Sequence, residues 1–284
     1  MTSHDVVNRL RKITGERSIG HLGTLDPMAT GVLPLLMGKY TRLAQYFSAA
    51  EKSYHGDIRL GFATDTYDAD GEPAGPDCWP DVAQATTLDR VRAAAARFHG
   101  EIEQMPPQFS AKKVDGQPAY KLARQGKPVE LKPAKIRIDS FEIAALEGAE
   151  ASFTIDISSG GYVRSVAHEL GQDLGCGAHL SRLRRTRAGM FTLEDAHTLE
   201  ELEALAVNPG ALEAVCVHPR LLLPEMPSVS ADTTALGRLR NGAQANLPEF
   251  SAAPLVKVFA GPRELAAIAK RVAGTLFQPV VVMG

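Results

Sequence analysis

The 284-residue sequence has no apolar run long enough to span a membrane, no internal repeat, no low-complexity linker and little net charge. Without a long apolar run, a membrane protein is not expected. Met1-Thr2-Ser3-His4-Asp5 lacks the basic-then-apolar pattern of an export signal, so a cytoplasmic protein is expected. Its three cysteines, Cys78, Cys176 and Cys216, are far apart and odd in number. They have neither zinc-site spacing nor disulfide-framework density, and they read as reduced thiols in the core or incidentally exposed. A formal net charge of -2 argues against indiscriminate coating of nucleic acid.

Positive charge is nevertheless concentrated. Lys112, Lys113, Lys121, Arg124, Lys127, Lys132, Lys135 and Arg137 lie close together, with only Asp115 and Glu130 against them, and Arg182, Arg184, Arg185 and Arg187 form a second cluster. Phosphate binding depends on where charge sits rather than on its sum. Either cluster alone also reads as a solvated face. Chain length allows one large domain and a small one.

The densest local signal is Gly20-His21-Leu22-Gly23-Thr24-Leu25-Asp26-Pro27, followed by Met28-Ala29-Thr30-Gly31-Val32-Leu33. Glycines permit positive φ and proline fixes it, so Asp26 has a defined direction. It can be the cap of an Asx-Pro turn or a reactive carboxylate.

Around this turn, periodicity predicts a helix from Ser3 to about Gly15 and a short helix through Leu43 and Phe47. It predicts a strand over 53–60, with Tyr54, Ile58 and Leu60 on one side and His55, Asp57 and Arg59 on the other. A polar loop over 65–76 precedes a helix from Thr87 to Gly100. The interrupted, basic 104–133 stretch reads as a protruding loop, with helical turns near 119–125. A strand bulged near Ser140 follows, then a strand over 153–157, a glycine turn, and an amphipathic helix from Val163 with Arg164 near its start. A strand around 179–185 leads to a helix cap at Thr192-Leu193-Glu194-Asp195. The tail reads as short β segments with one helix at 264–273.

In consistent order over roughly residues 2–200, the sequence resembles the bacterial tRNA pseudouridine-55 synthase family. The resemblance rests on Gly20, His21, Gly23, Leu25, Asp26, Pro27, Ala29 and Gly31, on Lys52-Ser53-Tyr54, and on Gly161-Tyr162-Val163-Arg164. Pro106-Pro107-Gln108-Phe109-Ser110-Ala111-Lys112-Lys113, Tyr120-Lys121-Leu122-Ala123-Arg124-Gln125-Gly126, Gly177-Ala178-His179-Leu180 and Leu183-Arg184-Arg185-Thr186-Arg187-Ala188-Gly189 complete the pattern. It implies an α+β fold: a central mixed, largely antiparallel sheet with flanking helices and a basic insertion, plus a small C-terminal β-rich, barrel-like domain. The expected division is a catalytic domain over 1–212, carrying an RNA-binding insertion over 104–133, and an accessory RNA-binding domain over 213–284.

The implied activity isomerises the T-loop uridine of tRNA. That reaction must break N1–C1′, turn the base and rejoin it through C5. Asp26 would attack C1′ or remove the C2′ proton, and both routes remain open. Arg164 would keep Asp26 ionised and oriented, and Tyr54 would back the moving base. His21, Tyr162 and Leu183 would shape the pocket for an extruded nucleotide. Lys112, Lys113, Lys121 and Arg124, with Arg184 and Arg185 on an opposite wall, would grip phosphates. Ordinary packing is the plainer reading of Tyr54, Tyr162, Leu183 and His21, and solvation that of the lysines. No metal or organic cofactor, no obligate protein partner and a monomer are expected, with the tRNA T-arm as the partner.

Two other classes fit parts of the pattern. A hydrolase would use His21 and Asp26, but lacks a compact set of further ligands. A noncatalytic RNA-binding or tRNA-folding protein would use the same insertion. The family pattern also has a strand and a lysine-proline turn ahead of its threonine-serine segment, whereas Met1-Thr2-Ser3-His4 falls inside that pattern. An internal start or a missing strand is expected.

Overall fold

The computed structural model describes residues 1–110, 112–114, 117–118, 122, 131–208 and 210–283, with the backbone alone at 113, 114 and 118. It divides into two compact units. One comprises Met1–Asp5, Gly23–Pro34 and Ser48–Ala196; the other comprises Val6–Leu22, Leu35–Phe47 and His197–Gly284.

The first unit is built on a sheet whose strands run, in spatial order, Phe191–Thr192, Ala178–Ala188, Lys52–Leu60, Glu150–Ile157, Ala134–Glu147 and Gly100–Gln104. These neighbours are antiparallel, and Thr30–Gly31 joins Ala178–Ala188 in parallel. The sheet is therefore mixed and largely antiparallel. Alternation sends Ile58, Leu60, Phe153, Ile155 and Ile157 to one face, where they pack with Val91 of helix Leu88–Ala95 and Val166 and Leu170 of helix Val163–Leu174. Phe141 stands edge-on between Phe98 and Phe153, with centroids 5.9 and 5.7 Å away. The bulge expected near Ser140 is present between Ile138 and Ser140.

On the opposite face, the polar side of the alternation, Asp57 is nevertheless buried. Its carboxylate accepts from Ser152 Oγ at 2.7 Å and from Arg182 Nε at 2.6 Å, so polar partners rather than water satisfy it.

In the second unit, Val7 and Leu10 of helix Ser3–Thr14 pack on Ile19 with Leu202. Strands Ile19–His21 and Leu35–Met37 pair antiparallel. A five-stranded sheet, ordered Ser228–Ser230, Leu255–Ala260, Glu264–Ala273, Leu276–Val282 and Ala245–Asn246, packs with helix Thr233–Arg240. Two local expectations are overturned. The capped helix begins at Leu199, where Thr198 and Glu201 form a reciprocal capping box, and not at Thr192. Residues 264–273 form a strand and the helix lies earlier. Leu265 to Ile268 are buried on both sides between two neighbouring strands, which outweighs their alanine-rich helix propensity.

Thr30–Gly31 approaches its neighbour too closely for a side chain. Gly31 has φ +103°, and a Cβ there would lie 2.1 Å from the Arg185 carbonyl oxygen. Gly31→Ala is therefore expected to cost about 2–3 kcal/mol of stability, read as a fall in the denaturant midpoint; an unchanged midpoint would contradict this packing.

Candidate active site

Asp26 sits in a turn fastened at several points. Ser3 Oγ accepts from Leu25 N at 2.8 Å, and the Asp26 carbonyl accepts from Ala29 N at 2.9 Å. Beneath the turn lies Arg185, only 1% exposed. Its Nε donates to the Val32 carbonyl at 2.7 Å, Nη1 to Thr24 at 3.4 Å and Nη2 to Gly23 at 3.1 Å. The residues before and after Asp26 are thus drawn onto one planar group. Gly23 takes φ +102° to make its bend.

Facing the carboxylate is Arg164, the second residue of helix Val163–Leu174. Arg164 Nε and Nη2 donate to Asp26 Oδ2 and Oδ1 at 2.8 and 2.9 Å. Nη1 donates to the Thr66 carbonyl at 2.9 Å and Nη2 also donates to the Phe109 carbonyl at 3.0 Å. Asp68 Oδ2 lies 3.5 Å from Nη1. Each nitrogen of the guanidinium is therefore engaged. The Arg164 side chain is 5% exposed, that of Asp26 29%. The cation is fixed out of water while the anion keeps a face open.

The helix N-terminus is itself tied down. Gln104 donates to the Tyr162 carbonyl at 3.0 Å and accepts from Tyr162 N at 2.8 Å; Ser165 Oγ donates to the Met105 carbonyl at 2.9 Å. Gln104, Pro106, Pro107 and Ser110 are buried, so the start of the expected 104–133 loop packs inward rather than protruding. Polar side-chain contacts and proline burial embed it.

The turn over Thr64–Ala69, which opens the polar 65–76 loop, supplies Arg164 with a carbonyl and a carboxylate. Asp68 is buried and accepts from Thr66 Oγ1 at 2.6 Å and Asp70 N at 3.1 Å. Leu180 N donates to the Tyr67 carbonyl and Ala69 N to the Leu180 carbonyl, both at 3.0 Å. Tyr67 takes φ +66°, a left-handed conformation costing a non-glycine residue about 1 kcal/mol or more. The only signal in the sequence was an aspartate two residues beyond a threonine, too common to single out.

Tyr54 is half-buried, opposite Arg185 in one ladder and Ile155 in the other. Burial pushes its phenol above the usual tyrosine range; the Arg185 cation and its hydrogen bond oppose that, and the Asp26 charge adds to it. Asp26, Arg164, Arg185 and Tyr54 thus belong to one electrostatic neighbourhood. Tyr162 is the half-buried residue before the Arg164 helix, and Leu183 is buried in the core, opposite Gly56.

The remaining residues fall elsewhere. His21, half-buried, ends a strand of the second unit opposite Leu35. Arg184 is exposed. Arg185, expected from sequence to line a phosphate-gripping wall, is instead buried and engaged with three backbone carbonyls and Tyr54. Lys112 Nζ donates to the Lys132 carbonyl at 3.0 Å, and Lys113 lies in a two-residue strand opposite Pro118. Lys121, Arg124 and Lys127, with the helical turns expected at 119–125, lie outside the described residues. Among described residues no helix is long and apolar enough to cross a membrane.

Solved structures with the same architecture include a Cbf5-Nop10-Gar1 complex, with TM-score 0.71, 25% identity and coverage of 100% of this chain and 82% of that one. An H/ACA RNP bound to a substrate RNA containing 2'-deoxyuridine matches with TM-score 0.71 over 100% of this chain and 82% of that chain; at 23% identity it speaks for the fold alone. The class is a pseudouridine synthase-like α+β fold. Residues 11–163 match the TruB family pseudouridylate synthase N-terminal domain, and residues 164–224 the tRNA pseudouridylate synthase B C-terminal domain. The tRNA pseudouridine synthase B of Solibacter usitatus (strain Ellin6076) is 44% identical over 285 residues, 99% of this chain and 96% of the relative. That of Cupriavidus metallidurans (strain ATCC 43123 / DSM 2839 / NBRC 102507 / CH34) is 39% identical over 289 residues, 97% and 88%. The chain belongs to the TruB family of pseudouridylate synthases, isomerases that act on tRNA.

Arg185→Met is expected to lower unfolding free energy by about 2 kcal/mol, because it leaves the buried Val32 carbonyl unpaired and cuts the two ties to Gly23 and Thr24. It should also raise the ionisation midpoint of Tyr54 further, since the opposing cation is gone while burial remains. Spectrophotometric titration of the folded variant checks this; an unchanged or lower midpoint contradicts the contact.

Proposed function

We propose that the chain converts uridine 55 in the T-loop of tRNA to pseudouridine, with Asp26 as the catalytic carboxylate and Arg164 as the group that keeps it ionised and aimed. The observation that carries this reading is the bidentate pair itself, a sealed guanidinium holding a carboxylate that remains partly open. In the covalent route an Asp26 oxygen attacks C1′ and uracil leaves as the N1 anion. The base turns, C5 bonds to C1′, the carboxylate departs, and the C5 proton is lost as N1 gains one. In the glycal route Asp26 instead removes the C2′ proton as the N1–C1′ bond breaks and returns it when C5 bonds to C1′, after which C5 loses its proton and N1 gains one. Either route makes use of a carboxylate held ionised.

Asp68 fits the same scheme. When Asp26 is esterified or protonated, its charge is consumed, and Arg164 would be an uncompensated buried cation. The second carboxylate, 3.5 Å from Nη1, keeps it paired. Tyr54, whose raised pKa favours the neutral phenol, offers a ring on which the extruded uracil can stack and a hydroxyl near C5. Tyr162, Leu183 and His21 are proposed to shape the pocket. Lys112, Lys113, Lys121, Arg124 and exposed Arg184 are proposed to hold phosphates of the T-arm, which position RNA without reading its sequence.

The division proposed is a catalytic domain over 1–212, with its insertion at 104–133, and an accessory RNA-binding domain over 213–284. The protein is proposed to act as a cytoplasmic monomer without an obligate protein partner.

Asp26→Asn should lower turnover of an unmodified tRNA transcript at least about 1,000-fold while T-arm affinity survives. Nucleotide-resolution mapping of pseudouridine reads both the loss and the site. Retained turnover, or product at another position, would overturn the corresponding assignment. Neutralising Lys112 and Arg184 together should weaken tRNA binding at low salt and flatten the plot of log affinity against log salt by about one or two unit slopes; an unaltered slope removes them from the phosphate contacts.

A further inference from the structure

The Thr66–Asp68 turn brings two acceptors to Arg164, yet its middle residue stands where a tyrosine resists standing, at φ +66°. Neither glycine nor asparagine occupies position 67 to make that conformation easy. Backbone bonds with Leu180 hold the far side of the turn. On the near side, the Tyr67 ring lies against His168, with centroids 3.8 Å apart and planes 13° from parallel.

His168 follows Arg164 by four residues in the same helix, so both side chains leave the same face one turn apart. Gln172, a turn further on, brings its amide nitrogen 3.0 Å from His168 Nε2. The other nitrogen, Nδ1, is buried and has no hydrogen-bond partner among the described residues. One ring nitrogen is occupied by an amide and the other is sealed from water. The working contact of this histidine is its flat face.

We propose that His168 is a positioning residue for Arg164: by stacking on Tyr67 it holds the turn left-handed, so that the Thr66 carbonyl and the Asp68 carboxylate stay aimed at the guanidinium that orients Asp26. This rests on the assignment of Asp26 and Arg164 made above. Because the imidazole and the guanidinium ride on one helix, the stack makes the turn move with Arg164. Loss of the stack lets residue 67 relax to negative φ and swings both acceptors away. Asp26 is then held less well at the moment of reaction, while contacts that bind RNA are untouched.

Steady-state turnover of an unmodified tRNA transcript tests this with His168→Ala, His168→Phe and Tyr67→Asn. His168→Ala should lower kcat about 10-fold with KM within about 2-fold, and His168→Phe, which keeps a flat ring, should stay within about 3-fold of the parent. Asparagine accepts the left-handed conformation on its own. In the Tyr67→Asn background the further cost of His168→Ala should therefore shrink to under about 2-fold, a coupling that general destabilisation does not produce. A kcat for His168→Ala within about 2-fold of the parent overturns the proposal, as does an equal loss with phenylalanine, or the same loss in both backgrounds. If His168→Ala does not fold, the comparison of His168→Phe with the parent and with Tyr67→Asn decides, and a 10-fold kcat loss in His168→Phe overturns it. Asp26→Asn is assayed alongside. Full turnover there overturns the Asp26 assignment and this inference with it, whereas a dead Asp26→Asn with an undisturbed His168→Ala overturns this inference alone.

Discussion

A buried guanidinium must have its charge answered and its donors filled, and Arg164 meets both demands by drawing three separate chain segments together. Asp26 comes from a glycine-rich turn, Thr66 and Asp68 from a polar loop, and Phe109 from the segment leading into the insertion. Met28 and Ala29 beside Asp26 pack on the core, and Pro106 and Pro107 ahead of Phe109 are buried, so apolar contacts seat two of these segments while the guanidinium joins all three. What joins their polar ends is the cost of leaving a buried cation short of partners, several kcal/mol when a partner is removed. This end of the first unit is thus a polar assembly standing on an apolar core, and the core supplies the rigidity that the polar part needs.

The two buried arginines divide the work of placing Asp26. Arg185 bonds the backbone carbonyls of Gly23, Thr24 and Val32, and so fixes where the turn lies. Arg164 bonds the side chain and fixes where the carboxylate points. A lysine offers three donors on a flexible stem and could not span such acceptors in one plane. The planar fork of arginine suits both positions for the same geometric reason.

Much of this was legible beforehand, and the exceptions have physical causes. The turn around Asp26 announced itself because glycine and proline constrain backbone whatever surrounds them. Arg164 was legible because its place near the start of an amphipathic helix is a local property. Arg185 was misread by grouping it with Arg184, although neighbours in a strand face opposite ways and Leu183 shares the inward face with Arg185. Parity held the answer; the assumption that arginine belongs outside concealed it. Asp68 was missed because its importance comes from a residue nearly a hundred positions away. The strand over Glu264–Ala273 was misread because its alanines and leucine suit a helix, and only the two strands flanking it decide otherwise.

One strand, Ala178–Ala188, positions both carboxylates that flank Arg164. At Leu180 its backbone exchanges hydrogen bonds with the loop that carries Asp68; at Arg185 its side chain grips the turn that carries Asp26. Those anchor points are five residues apart, about 16 Å along an extended chain. The pairing of this strand with Lys52–Leu60 shifts register twice, between Leu180 and Arg182 and between Arg185 and Arg187, immediately beside each anchor. A bulge bends and re-aims a strand where it occurs. Between the two shifts, residues 182–185 stay in unbroken register with 57–54, which is the stretch that carries Tyr54. The regular segment therefore holds the aromatic ring in the sheet, and the irregular points at its ends turn the strand toward the two acidic loops. A one-residue slip of residues 182–185 against 57–54 would turn Arg185 to the opposite face and release its grip on the turn that carries Asp26.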